Sequence, residues 1–300
     1  MLRPISLARI PGWILFLAAS TLAQQPAPSS RPDPGELVRQ AVQNEIKSSS
    51  DPNLRFMFRE IKTTPKGSET KLFVEAKEAT AAIVVARDGK PLTPEQRQAE
   101  EERVSRFLRD PEELKKKRKQ EREDAARTMR IVRAMPDAFI FEYAGEEPGD
   151  PRIGKPGDLL VKLQFRPNPG YQPPSRVEQV LTGMKGMMYI DDARHRLARI
   201  DCTLFKDVAF GWGILGHLDK GGHFLVEQQE IGGGRWEISR TSLSFTGRIM
   251  MFKGLSINST EVFSNYKQIP ANLTFAQALE LLKKEEATVA ENSSKPAPND

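Results

Sequence analysis

Cysteine is almost missing from this chain: Cys202 is the only one in 300 residues. A lone thiol excludes an internal disulfide and any zinc site built on cysteine. Histidine is nearly as scarce, at three, which thins the field of metal centres and imidazole bases. Charge of one sign is lacking too. The 45 basic and 40 acidic side chains leave only +5, so composition alone argues for no polyanionic or polycationic partner. Beyond the first two dozen residues no stretch holds 18 uninterrupted apolar residues, about what is needed to span ~30 Å of hydrocarbon.

What is present begins with a leader. Arg3 and Arg9 accompany an apolar stretch at 10–22, and Ala19 and Ala23 set small residues where a signal peptidase cuts. Residues 1–23 read as a signal peptide and 24–33, rich in Pro, Ser, Gln and Ala, as a flexible leader. The alternative, an uncleaved anchor, is disfavoured by the shortness of the apolar run. The expectation is an exported protein, periplasmic or extracellular.

The mature part mixes two periodicities. Asp33 and Pro34 supply an N-cap and a first helical residue, and Leu37, Val38, Ala41, Val42 and Ile46 follow at helical spacing. Strand patterns then fall at 54–63, 69–76 and 80–87. Residues 91–135 interrupt them as a highly charged helical insertion, with Thr93-Pro94 opening one helix and Asp110-Pro111 the next. Its apolar stripe is thin until Ala125, Met129 and Val132, so its second half is the part expected to dock. Strands resume at 139–143 and 159–165, with a Gly/Pro-rich loop at 145–157 between them. Further strands are expected at 186–191, 197–205, 222–231, 235–245 and 248–266, with a break in the last. A terminal helix is expected at 273–286 and a disordered tail at 287–300. Strands joined by short turns, without strand–helix–strand alternation, predict an α+β fold. It is expected to be a curved antiparallel β-sheet, an open half-barrel, with helices packed on one side. Residues 34–286 are read as a single domain.

Catalytic constellations do not emerge. His217 and His223 flank the Lys220-Gly221-Gly222 turn and, with Asp219, resemble a metal-ligand set, but exposed polar residues beside a turn explain them better. Cys202 falls at period two with Ala198, Ile200 and Leu204, the position of a buried structural thiol. Asp191-Asp192 reads as a turn. No metal, cofactor or catalytic residue is expected, and the chain is not read as an enzyme. The basic run Lys115, Lys116, Lys117, Arg118 and Lys119 lies among acidic residues with no interleaved aromatics. It reads as a solvated helix face, or as contact with an envelope protein or an anionic membrane surface, and not as a nucleic-acid site.

The unusual content is apolar bulk. Met187, Met188, Phe205, Phe210 and Trp212 crowd one stretch, and Phe224, Trp236, Phe245 and Met251 another. Both neighbours are apolar in Met187-Met188 and in Met250-Met251, so both faces of those strands need cover. These nine are the candidate ligand-lining residues, weighed against a plain filled core; methionine suits a cavity that accepts varied apolar ligands.

The block Gly186-Met187-Met188-Tyr189-Ile190-Asp191, followed by Leu197-Ala198-Arg199-Ile200-Asp201, resembles the repeated hairpin of the LolA/LolB-like, outer-membrane lipoprotein-sorting family. Gly233-Gly234-Arg235-Trp236-Glu237-Ile238 is similar to its next strand start. The resemblance spans 34–266; the charged insertion departs from it. It implies a half-barrel that holds lipid acyl chains, hence a lipid, lipoprotein or other hydrophobic ligand bound non-covalently. The alternative is a filled-core interaction, scaffold or signalling module that uses its charged helices as the contact surface.

Overall fold

The computed structural model describes residues 31–210, 216–249 and 253–294. The expected signal peptide, Trp212 and Met251 lie outside the described residues.

The first helix, α1 (Pro34–Ser49), starts where its cap chemistry dictates: the Asp33 carboxylate accepts the Glu36 N–H, and Pro34 fills the first turn. Three strands follow, β1 (Phe56–Thr64), β2 (Gly67–Glu75) and β3 (Thr80–Arg87), then the two-residue β4 (Lys90–Pro91). The insertion forms α2 (Pro94–Arg109) and α3 (Pro111–Ala138). Thr93 and Gln96 make a reciprocal capping box, and Asp110 caps α3 through the Glu112 and Glu113 N–H groups.

β5 (Phe139–Pro148) and β6 (Leu159–Pro167) come next, followed by the short helix α4 (Arg176–Gln179) and a 3-10 turn, Val180–Gly183. β7 (Met184–Asp191), β8 (Leu197–Leu204), β9 (Val208–Phe210), β10 (Gly216–Leu218), β11 (His223–Gly232), β12 (Arg235–Ile249) and β13 (Lys253–Gln268) complete the sheet, and α5 (Phe275–Ser294) ends the described chain.

Three expectations shift. β5 runs past Tyr143 to Pro148, because Gly145, at φ 121°, sits in a bulge inside the strand and does not start a loop. β9 and β10 are too short to show a period. α5 continues to Ser294, beyond the end expected at 286.

All pairings between named strands are antiparallel, in the order β4-β3-β2-β1-β13-β12-β11-β8-β7-β6-β5. The sheet is open: β4 and β5 are its two ends. Register shifts at Met57/Arg59, Thr70/Lys71, Tyr189/Ile190 and Glu227/Gln228 add local bends. The join between its halves is the β1–β13 pair, where Lys62 stands opposite Glu261 and bonds it at 2.6 Å.

Two apolar clusters hold helices to this sheet. Leu37, Val38 and Ala41 of α1 and Met135 of α3 pack with Leu163, Met188 and Cys202. Phe275, Leu279 and Leu282 of α5 and Val104 of α2 pack with Leu72, Val74 and Ile83. Residues paired across strands share a face, and alternate residues do not. Following the register Leu163↔Met188↔Ile200↔Val226↔Thr241↔Glu261↔Lys62 puts α1 and the end of α3 on one face. On β2 that face carries Glu69, Lys71 and Phe73; Leu72 and Val74, under α5, belong to the other, so helices cover both faces where one covered side was expected.

Candidate functional site

The face beneath α1 and α3 is not filled. A cavity of about 560 Å³ lies there, within the range of roughly 300–1,000 Å³ usual for small-ligand sites. Its roof is helical: Met129, Ile131, Val132 and Met135 come from α3, and Glu45, Ser48 and Ser49 from the end of α1. Its floor is the sheet, with Ile200 and Cys202 on β8, Phe224 and Val226 on β11, Phe245 on β12 and Ile257 on β13. Val180, Leu181 and Met184 close one side.

The hollow has a sequence cause. The buried residues of α1 are Leu37, Val38, Ala41 and Val42, all N-terminal to Glu45. Toward the cavity the rest of the helix offers the Glu45 carboxylate and the Ser48 and Ser49 hydroxyls where the floor is apolar, so β11 and β12 extend beyond what α1 can shield. The floor is set closely elsewhere. A Cβ at Gly222 would stand 2.4 Å from the Phe245 ring, so glycine is what lets that ring approach the turn before β11 this closely.

One end of the cavity is polar. Glu45 accepts from Arg196 Nε at 2.8 Å, Arg196 Nη2 at 3.1 Å and the Leu197 N–H at 3.1 Å. Asn44 Nδ2 donates to the carbonyls of Arg194 and His195 at 3.2 and 3.0 Å, pinning α1 to the β7–β8 turn. Glu237 also lines this end. Burial, with repulsion from Glu75 added, pushes its carboxyl up to about 7, against a smaller opposing pull from Arg196.

Of the nine candidate lining residues, Phe224, Trp236 and Phe245 line this cavity. Met188 is fully buried in the core of the same face. Met187 pairs with Gln164 and Asp201 on the opposite face and packs beside Ile153, Leu160 and Tyr189, so these adjacent methionines cannot share one hollow. Phe210 packs with Leu204 and Val208, and Phe205 has Lys185 and Lys206 near its ring. Trp212 and Met251 are outside the described residues. From the sequence the Met129/Val132 stripe of α3 reads as a docking surface; the structure makes it a wall of the cavity.

The remaining motifs fall into place. His217 Nε2 lies 3.1 Å from Asp219 and His223 Nε2 2.8 Å from Asp201, so each histidine has its own carboxylate. Among the described residues no group of three or more His, Cys, Asp or Glu side chains is placed to hold a metal. Cys202 is buried, and burial pushes its thiol up to about 12, which keeps it protonated and unreactive. Asp191 caps its own turn through the Arg194 N–H at 2.7 Å. In the basic run, Lys115 pairs with Glu112, Lys116 with Glu113, Lys117 with Glu121 and Lys119 with Glu123, so much of its charge is answered within α3.

No family model matches the chain, and no curated protein matches it. Among solved structures, one similar chain is a domain from Vibrio parahaemolyticus provisionally described as an outer membrane lipoprotein-sorting protein domain. It matches at 8% identity and a TM-score of 0.29 over 82% of this chain and 99% of that one. Another is a DUF1329 family protein from Desulfovibrio piger, at 9% identity and a TM-score of 0.27 over 84% of this chain and all of that one. At these scores the likeness says nothing of what this chain binds. The open antiparallel sheet, with five helices among the described residues, is established from the chain's own strand pairing.

Proposed function

We propose that this protein holds an apolar chain, the acyl part of a lipid or lipoprotein, non-covalently in the cavity between α3 and the β8–β11–β12 floor. The observation that carries the reading is a hollow of about 560 Å³ walled by Met129, Val132, Ile200, Phe224 and Phe245 that the protein's own helices leave empty. Burial of each methylene contributes ~0.8 kcal/mol. Affinity should therefore fall about tenfold for every two methylenes removed from a bound chain.

The test uses delipidated protein and fluorescent fatty-acid probes of graded length. Saturable binding with that length dependence is expected. Val132→Trp, which fills the hollow from its roof, should weaken binding about tenfold or more while the melting temperature holds or rises. Failure of every acyl probe to bind, or binding indifferent to Val132→Trp, overturns the reading.

A further inference from the structure

Past the polar end of the cavity, the same sheet face continues onto β13, β1 and β2 and changes character. Phe58 stacks on Phe73 with ring centroids 5.0 Å apart and planes 7° from parallel, and on Tyr266 at 5.2 Å and 28°. Phe263 lies 6.1 Å from Phe58. Helix α5 packs against Leu72 and Val74, the alternate residues of β2, and so lies on the other face. The four rings form a half-buried shelf. Tyr266 ties it to the cavity by donating its hydroxyl to the carbonyl of Ile238, a cavity-lining residue, at 2.7 Å.

Carboxylates flank this shelf without cations of their own. Glu60 stands opposite Phe263 and Lys71 in register, is only 8% exposed, and has no hydrogen bond or ion pair among the described residues. The lysines near it are committed elsewhere: Lys62 to Glu261 at 2.6 Å and Lys71 to Glu69 at 3.2 Å. Among the described residues Glu75 accepts only the Phe56 N–H, at 2.9 Å. Among the described residues Glu237 has no hydrogen bond or ion pair, and the nearby Arg196 is held by Glu45. Burial raises the carboxyls of Glu60, Glu75 and Glu237 alike, and burial together with these three carboxylates raises the Tyr266 phenol. Buried anions without counter-ions are costly, and a cation over aromatic faces gains further.

We propose that this shelf binds an ammonium headgroup, so that the ligand is a cationic or amine-bearing amphiphile with its chain in the cavity and its nitrogen against Phe58, Tyr266 and Glu60. The proposal rests on the cavity reading and narrows it to one headgroup chemistry. Free carboxylates and phosphate monoesters are disfavoured by the same three glutamates that attract a cation.

Titration calorimetry of the delipidated protein at pH 8, above the raised Glu237 carboxyl, with dodecyltrimethylammonium, dodecanoate and dodecanol, all below their aggregation limits, separates the two claims. The ammonium compound should bind about tenfold or more tighter than the carboxylate of equal chain. Glu60→Gln, Glu75→Gln and Phe58→Leu should each lower ammonium affinity several-fold and leave dodecanol affinity unchanged. If Glu60→Gln does not fold, the other two variants and the headgroup ranking on the unaltered protein still decide. Equal affinity for ammonium and carboxylate overturns the headgroup proposal and leaves the cavity reading standing. Absence of binding by all three compounds overturns both.

Discussion

Glu237 is the residue whose chemistry departs furthest toward neutral pH. Its carboxyl moves from an ordinary 4.5 up to about 7, chiefly through burial. Between those values the folded protein keeps a proton that the unfolded chain gives up. The stability this proton confers is complete below 4.5 and is lost as pH rises through about 7. Glu60 and Glu75 are raised in the same direction, whereas Asp201 and Glu100 are lowered and act only under acid conditions. The protein should therefore melt at a higher temperature at pH 5 than at pH 8. At ~1.4 kcal/mol per pH unit of displacement, Glu237 accounts for up to ~3 kcal/mol. Glu237→Gln should flatten most of that slope in a calorimetric pH series, and an unchanged slope would show that the carboxyl ionises freely. None of this was legible in the sequence. Glu237 stood in a Gly-Gly-Arg-Trp-Glu-Ile run as one more strand residue, and its environment is assembled from α1, β2, the β7–β8 turn and β13.

At the scale of elements, the charged insertion has a definite structural task. Strand β3 is a long strand near one end of the sheet, and β4 covers only its Ala86 and Arg87. Helix α2 covers more. Glu100 accepts the Val84 N–H at 2.7 Å, and Arg103 Nη2 donates to the Ala82 carbonyl at 2.9 Å. From α3, Glu121 accepts the Thr80 N–H at 3.0 Å. Side chains here stand in for a neighbouring strand and remove a pairing edge that would invite association. Glu100→Ala should cost ~1–3 kcal/mol by orphaning the Val84 N–H and raise self-association by light scattering. Glu100→Gln, which keeps an acceptor, should be milder on both counts; equal effects of the two would refute the edge role. The caps at Asp33, Thr93 and Asp110 were readable because each acts on residues two or three positions away. The edge cover was not, because Glu100 and Val84 are sixteen positions apart and Glu100 looks like any solvated helix charge.

For the molecule as a whole, period two told which residues share a face but not which face is hollow. Met187 and Met188 fell on opposite faces, and both sides of the sheet carry apolar clusters, one under α1 and α3 and one under α5. The meander was legible from its turns; the β1–β13 pairing that joins its halves was not, since it brings Lys62 to Glu261 across 199 positions. That join makes one continuous face of the cavity floor and the aromatic shelf, so occupation of the hollow should be felt by the entire fold. A ligand that binds only the folded state adds RT ln(1 + [L]/Kd), about 2.7 kcal/mol at a hundred times Kd. For a chain of this size that is a rise of roughly 5 °C in melting temperature. The rise should continue with the logarithm of ligand concentration. Phe224→Ala, which removes part of the floor, should lower the ligand-free melting temperature and shrink the ligand-induced rise together. A sheet whose hollow is closed in solution would instead give a melting temperature blind to every amphiphile, with Phe224→Ala acting on stability alone.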